Sequence, residues 1–274
     1  MRHLKNLLAL YINSSIHVAL AVVSFSMVSF WKFQLLPDYK LLLFIFFGTI
    51  TGYNFVKYAG IAKLHHLSLT RNLRIIQVFS FFCFLAGAYF LLLQPWRVLI
   101  ISAILGVFTF LYAVPFWKGK ANLRSLNGTK VFVIAVVWAG ASVLLPLEQL
   151  YEVQSRDILL EFFQRLLLVL VLMLPFEIRD LRYDVLQLGT IPQRLGVKRT
   201  KILGYILLGM AVVSEAAKKH VLPANFFSLL MLSIITAILL YKSIIKQNIY
   251  FSSFWVEGIP IIWLIITILV MTLF

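Results

Sequence analysis

The sequence predicts an all-α fold, a polytopic membrane bundle of about nine transmembrane helices. Three observations predict it. Of 274 residues, 62% are hydrophobic and the mean hydropathy is +0.95, well above the roughly half-apolar composition of soluble domains. The apolar residues fall in runs of about 20, the length that crosses a hydrocarbon core. The basic residues collect in short segments between those runs. No soluble fold of this length buries so much Leu, Ile, Val and Phe, so lipid has to solvate it.

The runs are 8–30, 40–62, 74–94, 97–116, 130–149, 158–178, 201–217, 225–246 and 253–274. The first follows Met1-Arg2-His3-Leu4-Lys5. It is too long for a signal peptide and lacks a small-residue cleavage site, so it reads as an uncleaved span. The seventh is the weakest, because Ser214 and Glu215 interrupt its end. No linker, low-complexity tract or clear repeat separates the runs, and residues 1–274 read as a single integral membrane domain.

Lys and Arg total 25 against 10 acids, a net charge of +15. Such an excess often marks nucleic-acid binding. Here the cations flank apolar runs, as topology signals and lipid- or phosphate-facing groups do. Membrane lipid is the expected partner and nucleic acid is not. Counted on alternate sides, about 18 cations share the side of the N-terminus. The other seven are Lys32, Lys40, Arg97, Arg156, Arg165, Lys218 and Lys219. This bias places the N-terminus in the cytoplasm and, with nine spans, the C-terminus outside.

Cys83 is the single cysteine, which excludes an intrachain disulfide and a Cys-rich zinc site. It reads as a small core residue. The five histidines show no metal-ligand spacing.

Acids are few, so their positions carry information. Glu177, Asp180 and Asp184 cluster at the end of the sixth run. On a helix, Asp180 and Asp184 lie about 300° and 340° from Glu177, so the three share one face, with Arg179 and Arg182 opposite. Asp180 and Asp184 repel each other as i, i+4 neighbours unless a cation lies between them. Mg2+ suits such a pair, since it takes one or two carboxylates plus substrate phosphates and water. The plain alternative is a solvated helix end where each Asp pairs with a nearby Arg. The membrane boundary favours the functional reading. Glu161 and Arg165 read as a structural i, i+4 pair. Glu257, just inside the ninth run, is an intramembrane acid without an assigned role.

The stretch Phe176 to Asp184, followed by Gly189-Thr190-Ile191-Pro192-Gln193-Arg194-Leu195-Gly196, resembles the second aspartate motif of the UbiA family of intramembrane prenyltransferases. That motif is R-D-x-x-x-D with a downstream K/R-T-x-P-x-x-L-G tail. Here the spacer is about one residue short, and Gly189 stands where the basic residue precedes Thr. Leu111-Tyr112-Ala113-Val114-Pro115 with Lys118, Lys120 and Asn127 is similar to the family's Y-S-x-P-P-x-x-K segment and its downstream Asn. The family's first motif, N-D-x-x-D-x-x-x-D, is kept only as Asn54; Phe55, Tyr58 and Ala62 replace its acids.

The resemblance implies a nine-helix UbiA-like bundle that transfers an isoprenyl group from a prenyl diphosphate to an acceptor at the cytoplasmic face. It implies Asp180, Asp184 and Tyr112 as catalytic residues and Asp180, Asp184 and Glu177 as ligands of one Mg2+. The second metal site of the family lacks its acids. Asn54, Lys57, Arg71, Lys118, Lys120, Arg124 and Asn127 fall on the diphosphate side, and Lys57 is a candidate to replace the missing metal's charge. Two other readings stay open: a non-catalytic isoprenoid-binding or accessory relative and, with less support, a transporter, which calls for polar groups in mid-span.

Overall fold

A computed structural model describes residues 2–62, 71–114, 128–182, 189–219 and 222–273. The described residues form helices α1 (Arg2–Asn13), α2 (Ile16–Lys32), α3 (Tyr39–Ala62), α4 (Arg71–Leu92), α5 (Trp96–Ala113), α6 (Thr129–Ala139), α7 (Tyr151–Asp180), α8 (Ile191–Ala216), α9 (Pro223–Lys242) and α10 (Ile259–Met271). A π-helical turn, Gly140–Leu144, extends α6, and another, Phe251–Val256, leads into α10. No strand occurs among the described residues.

Six helices are long and apolar enough to cross a membrane, or seven if the bent pair α1–α2 counts as one span. The α6 segment is short, and α8 is not among the six. The apolar runs are thus helical where described; among the described residues, length and hydropathy identify six or seven crossings, which does not confirm the count of nine. The chain is a multi-pass integral membrane protein. Phe81, Phe82, Phe84 and Leu85 of α4 and Val107 and Phe110 of α5 are exposed, an apolar surface of the kind lipid covers. Helix α7 is central. Its apolar window is 67% buried, against 17% for α4 and for α5.

The expected first span is two helices, bent by 59° between Asn13 and Ile16. Ser15 adopts left-handed backbone (φ 63°), which costs free energy outside glycine. Asn54 of α3 holds the bend: its Nδ2 donates to the Ser14 carbonyl at 3.1 Å, and its Oδ1 accepts from the Ser15 hydroxyl at 2.8 Å. Cys83 packs with Ala19 and Ile50 between α2, α3 and α4, the small-core role its surroundings imply.

The bundle's other end is closed by ions. Lys32 contacts Glu161 at 2.7 Å and Glu215 at 2.8 Å. Arg165 pairs with Glu161 at 2.9 Å, and Lys218 bridges Glu161 and Glu215. Gln164 links Lys32 to Glu215 (3.0 and 2.9 Å). Arg165 also donates to the Phe25 carbonyl at 2.8 Å and lies 4.4 Å over the Phe25 ring. Sequence counting assigned Lys32, Arg165 and Lys218 to an outer loop set, but all three are buried. Isolated in lipid each is costly, so each is drawn to Glu161 or Glu215, which face it from a neighbouring turn or helix.

Removing one carboxylate leaves cations unpaired. Glu161→Gln and Glu215→Gln are each expected to destabilise the detergent-solubilised protein by about 3–5 kcal/mol, the cost of breaking a buried pair. Thermal unfolding checks this; a midpoint within a degree of native for both variants contradicts it.

Candidate functional site

Five elements meet at the end of the bundle opposite the ion network: the last turns of α3, α5 and α7, the first turn of α6, and the π-helical turn before α10. Asp180 and Glu177 come from the final α7 turns. Pro175 lies just upstream within α7, where it cannot donate the usual helical bond. The Pro175 carbonyl accepts a bond from Gln247 Nε2 at 2.9 Å. Arg182 donates to the carbonyls of Ile245 and Gln247. Together these tie the carboxylate-bearing end of α7 to the segment that leads into α10.

Glu177 is buried, and its Oε1 lies 3.0 Å from Lys130 Nζ, at the start of α6. Asp180 is about a quarter exposed, with a side-chain accessibility of 23%. Its Oδ2 is 3.8 Å from Lys130, and its Oδ1 accepts from Arg179 at 2.8 Å. Helical geometry places Arg179 on the opposite face; its long side chain nevertheless folds back to its neighbour. Tyr112, at the end of α5, is buried and interacts electrostatically with Lys130 and Tyr53. Tyr53 packs against Trp138 with ring centroids 6.3 Å apart. The structure therefore brings together Glu177, Asp180 and Tyr112 of the predicted set.

Asn54 and Lys57 are engaged elsewhere. Asn54 is 3% exposed and spends three hydrogen bonds on Ser14, Ser15 and Ser80. Lys57 Nζ and the Tyr58 hydroxyl both donate to the Asn13 carbonyl, at 3.3 and 3.0 Å. The last carbonyls of a helix lack intrahelical partners and attract cations. This part of α3 thus caps α1. Asp184, Lys118, Lys120, Arg124 and Asn127 lie outside the described residues. Arg71 opens α4, but its side chain is outside them too.

Sequence reasoning missed Lys130 and Glu257 as members of this end. Lys130 was counted only as a loop charge; the signal available was its position three residues after Asn127, at the start of the fifth apolar run. Glu257 retains accessible surface and has Tyr11, Tyr53, Lys57 and Arg179 as electrostatic neighbours.

Do these residues fit Mg2+? Among the described residues no group of three His, Cys, Asp or Glu side chains is placed to hold a metal. Glu177 and Asp180 offer two carboxylates on adjacent turns, each already paired with a cation. That donor set fits an ion held by one or two carboxylates, with phosphate and water completing its shell, and not an all-protein cage.

A solved structure of digeranylgeranylglyceryl phosphate synthase matches the fold. It shares 18% identity, superposes over 98% of this chain and 97% of its own with a TM-score of 0.57, and is described as a synthase in membranes. At that identity the likeness shows the fold alone. No protein-family model matches the chain, and no curated protein matches it in sequence.

Replacing Asn54 with Ala removes three buried hydrogen bonds and leaves the Ser14 carbonyl unsatisfied. The expected loss is about 1–3 kcal/mol of stability, the usual penalty for an unsatisfied buried group. Lys57→Gln is expected to cost less, since Lys57 is exposed and Tyr58 still caps Asn13. Paired thermal melts check the order; a larger loss for Lys57→Gln contradicts it.

Proposed function

We propose that the protein is a UbiA-like prenyltransferase that moves an isoprenyl group from a prenyl diphosphate to an acceptor at the cytoplasmic side of the membrane. The observation that carries this reading is the placement of Glu177, Asp180, Lys130 and Tyr112 together at one end of a bundle with the fold of a membrane prenyltransferase. The 18 cations counted on that side support a cytoplasmic orientation for it, and with it a cytoplasmic N-terminus.

In this reading the diphosphate lies against the last turn of α7. Asp180 and Asp184 would hold Mg2+, with Glu177 as a further ligand, and the ion would supply positive charge to the leaving diphosphate. Lys130 holds Glu177 in place and adds fixed charge. Lys118, Lys120 and Arg124, between α5 and α6 in sequence, and Arg71, at the start of α4, are the further cations this reading assigns to the diphosphate. Tyr112 stands at the inner limit of the site, beside Tyr53 and Trp138, where aromatic faces stabilise an allylic cation. Lys57 contributes only long-range charge, because its ammonium caps α1.

A second reading is favoured by a specific observation. Both described carboxylates are already neutralised, Glu177 by Lys130 and Asp180 by Arg179. A protein that kept the scaffold and lost the chemistry, binding an isoprenoid or assisting a partner, would tolerate such pairing.

Binding of geranylgeranyl thiolodiphosphate, an analogue that does not ionise readily, to the solubilised protein separates the two. The transfer reading expects affinity that rises with Mg2+ and falls at least about tenfold, roughly 1.4 kcal/mol, in the Asp180→Asn/Asp184→Asn double variant. Affinity indifferent to both Mg2+ and the substitutions would leave the non-catalytic reading standing.

A further inference from the structure

Glu257 is the carboxylate at this end to which the transfer reading gives no task. Its position is built by several residues. The π-helical turn Phe251–Val256 ends in a bond from the Glu257 N–H to the Ser252 carbonyl at 3.0 Å. Such a turn inserts a residue into the helical register and redirects the side chains that follow, and π turns recur at functional sites. The turn is clamped from α2. His17 Nε2 lies 2.9 Å from the Phe254 carbonyl, and the imidazole stacks on the Phe254 ring at 4.9 Å. That carbonyl can only accept, so Nε2 carries the proton, and Nδ1 accepts from the Tyr11 hydroxyl at 2.9 Å. Gly258 permits this approach: a Cβ there would lie 2.7 Å from the Phe254 carbonyl oxygen and 3.2 Å from His17 Nε2. On the far side, Gln247 ties Ser252 to the Pro175 carbonyl of α7.

The carboxylate that these contacts position is unpartnered. Among the described residues, none provides it with a hydrogen bond or a cation at ion-pair distance. Lys57 and Arg179 act on it from farther off, while Tyr11 and Tyr53 stand around it. It keeps accessible surface, with Tyr11 of α1, Tyr53 and Lys57 of α3 and Arg179 of α7 as its electrostatic neighbours. A carboxylate at membrane depth without a partner is costly. A ligand that donates a hydrogen bond removes that cost, and a ligand bearing its own carboxylate there adds to it.

We propose that Glu257 is the acceptor-side catalytic base: it accepts a hydrogen bond from the hydroxyl of a neutral alcohol or phenol and takes that proton during transfer. The inference rests on the transfer reading above. In the step, the C1–O bond of the prenyl diphosphate breaks and its electron pair leaves with the diphosphate. A lone pair of the acceptor oxygen forms the new bond to C1. The hydroxyl proton passes to Glu257, which returns it to water. His17 is a positioning residue, acting through the Phe254 carbonyl.

The test uses the full protein in lipid nanodiscs, with dicyclohexylcarbodiimide as a carboxyl-modifying reagent and 2-naphthol as the hydroxyl probe. Modification is expected at Glu257, read by peptide mass, and absent there in Glu257→Gln. Saturating 2-naphthol is expected to slow it at least about tenfold, whereas 2-methoxynaphthalene, which cannot donate, changes it less than about twofold. With tritiated geranylgeranyl diphosphate, native protein is expected to prenylate 2-naphthol, and Glu257→Gln to do so about 100-fold more slowly. Glu257→Gln is expected to bind the thiolodiphosphate analogue within about threefold of native, which shows that the fold and the diphosphate side survive. The inference is overturned if Glu257 is not modified, if both naphthalenes protect equally, if native protein is protected by 2-naphthol yet never prenylates it, or if Glu257→Gln transfers at the native rate. Failure of the native protein to bind the analogue is a separate result, and it removes the transfer reading itself.

Discussion

A charge inside a bilayer must find its counter-charge inside the protein, and the bundle is arranged around that constraint. At one end, Lys32, Arg165 and Lys218 share two carboxylates, Glu161 and Glu215. These residues come from α2, α7, α8 and the segment just after α8. Asn225 of α9 joins them by donating to the Lys32 carbonyl, and Trp263 of α10 lies 4.9 Å from Arg165. Lipid gives helices little hydrophobic reason to associate with one another. A network whose partners are spread over α2, α7 and the end of α8 supplies one, because any sliding of α7 against α2 or α8 strands a charge. The three cations exceed the two acids, and the excess is taken up by carbonyl and hydroxyl oxygens of Phe25 and Ser29 and by aromatic faces. The central position of α7 follows from this, since it carries Glu161, Gln164 and Arg165 on neighbouring turns.

The same helix delivers the candidate site to the other end. With α7 fixed by its ions, Glu177 and Asp180 about four turns further on are held against Lys130 of α6. The contrast with α3 is instructive. In the family pattern the end of this helix bears acids for a second metal. Here the same stretch carries Asn54, Lys57 and Tyr58, and all three bond to the chain at the α1–α2 junction. Of the three positions where that pattern has acids, Tyr58 meets the Asn13 carbonyl, and a carboxylate there would be repelled by it.

Much of this was legible in the sequence. Apolar length gave each helical segment, and the shared face of Glu177 and Asp180 followed from helical geometry alone. Periodicity could not reveal the bend at Ser15, because an apolar run continues through it and the cause is a side chain some forty residues away. The Glu161–Arg165 pair was legible from its i, i+4 spacing, but counting cations by side could not reveal that Lys32, Arg165 and Lys218 are buried, because an ion near the end of an apolar run looks the same whether it meets water or a buried acid. Their partners Glu161 and Glu215 lie far apart in the chain, so only packing joins them. The π-helical turn before Glu257 left no mark in composition, although Gly258 and Pro260 marked the place. The role of Gly258 depends on the approach of His17, which is remote in sequence.

Charge balance then defines what the site demands of its surroundings. Among the described residues at this end, Lys57, Lys130, Arg179 and Arg182 stand against Glu177, Asp180 and Glu257. One positive charge is in excess, and Lys57 and Arg182 are committed to backbone carbonyls. An entering diphosphate brings several negative charges, more than that single excess of positive charge offsets. Anion recognition at low dielectric needs that charge fixed in advance. Two sources are within the chain's means: a divalent cation on the α7 carboxylates, or the lysines and arginines of residues 115–127 brought over the site. The first converts the acids from a liability into ligands. The second makes the segment between α5 and α6 part of the binding surface. Glu177 and Asp180 are paired with Lys130 and Arg179, so a divalent cation, were it to bind these carboxylates, would displace those cations, and the displaced ammonium and guanidinium would be free to contact phosphate oxygens.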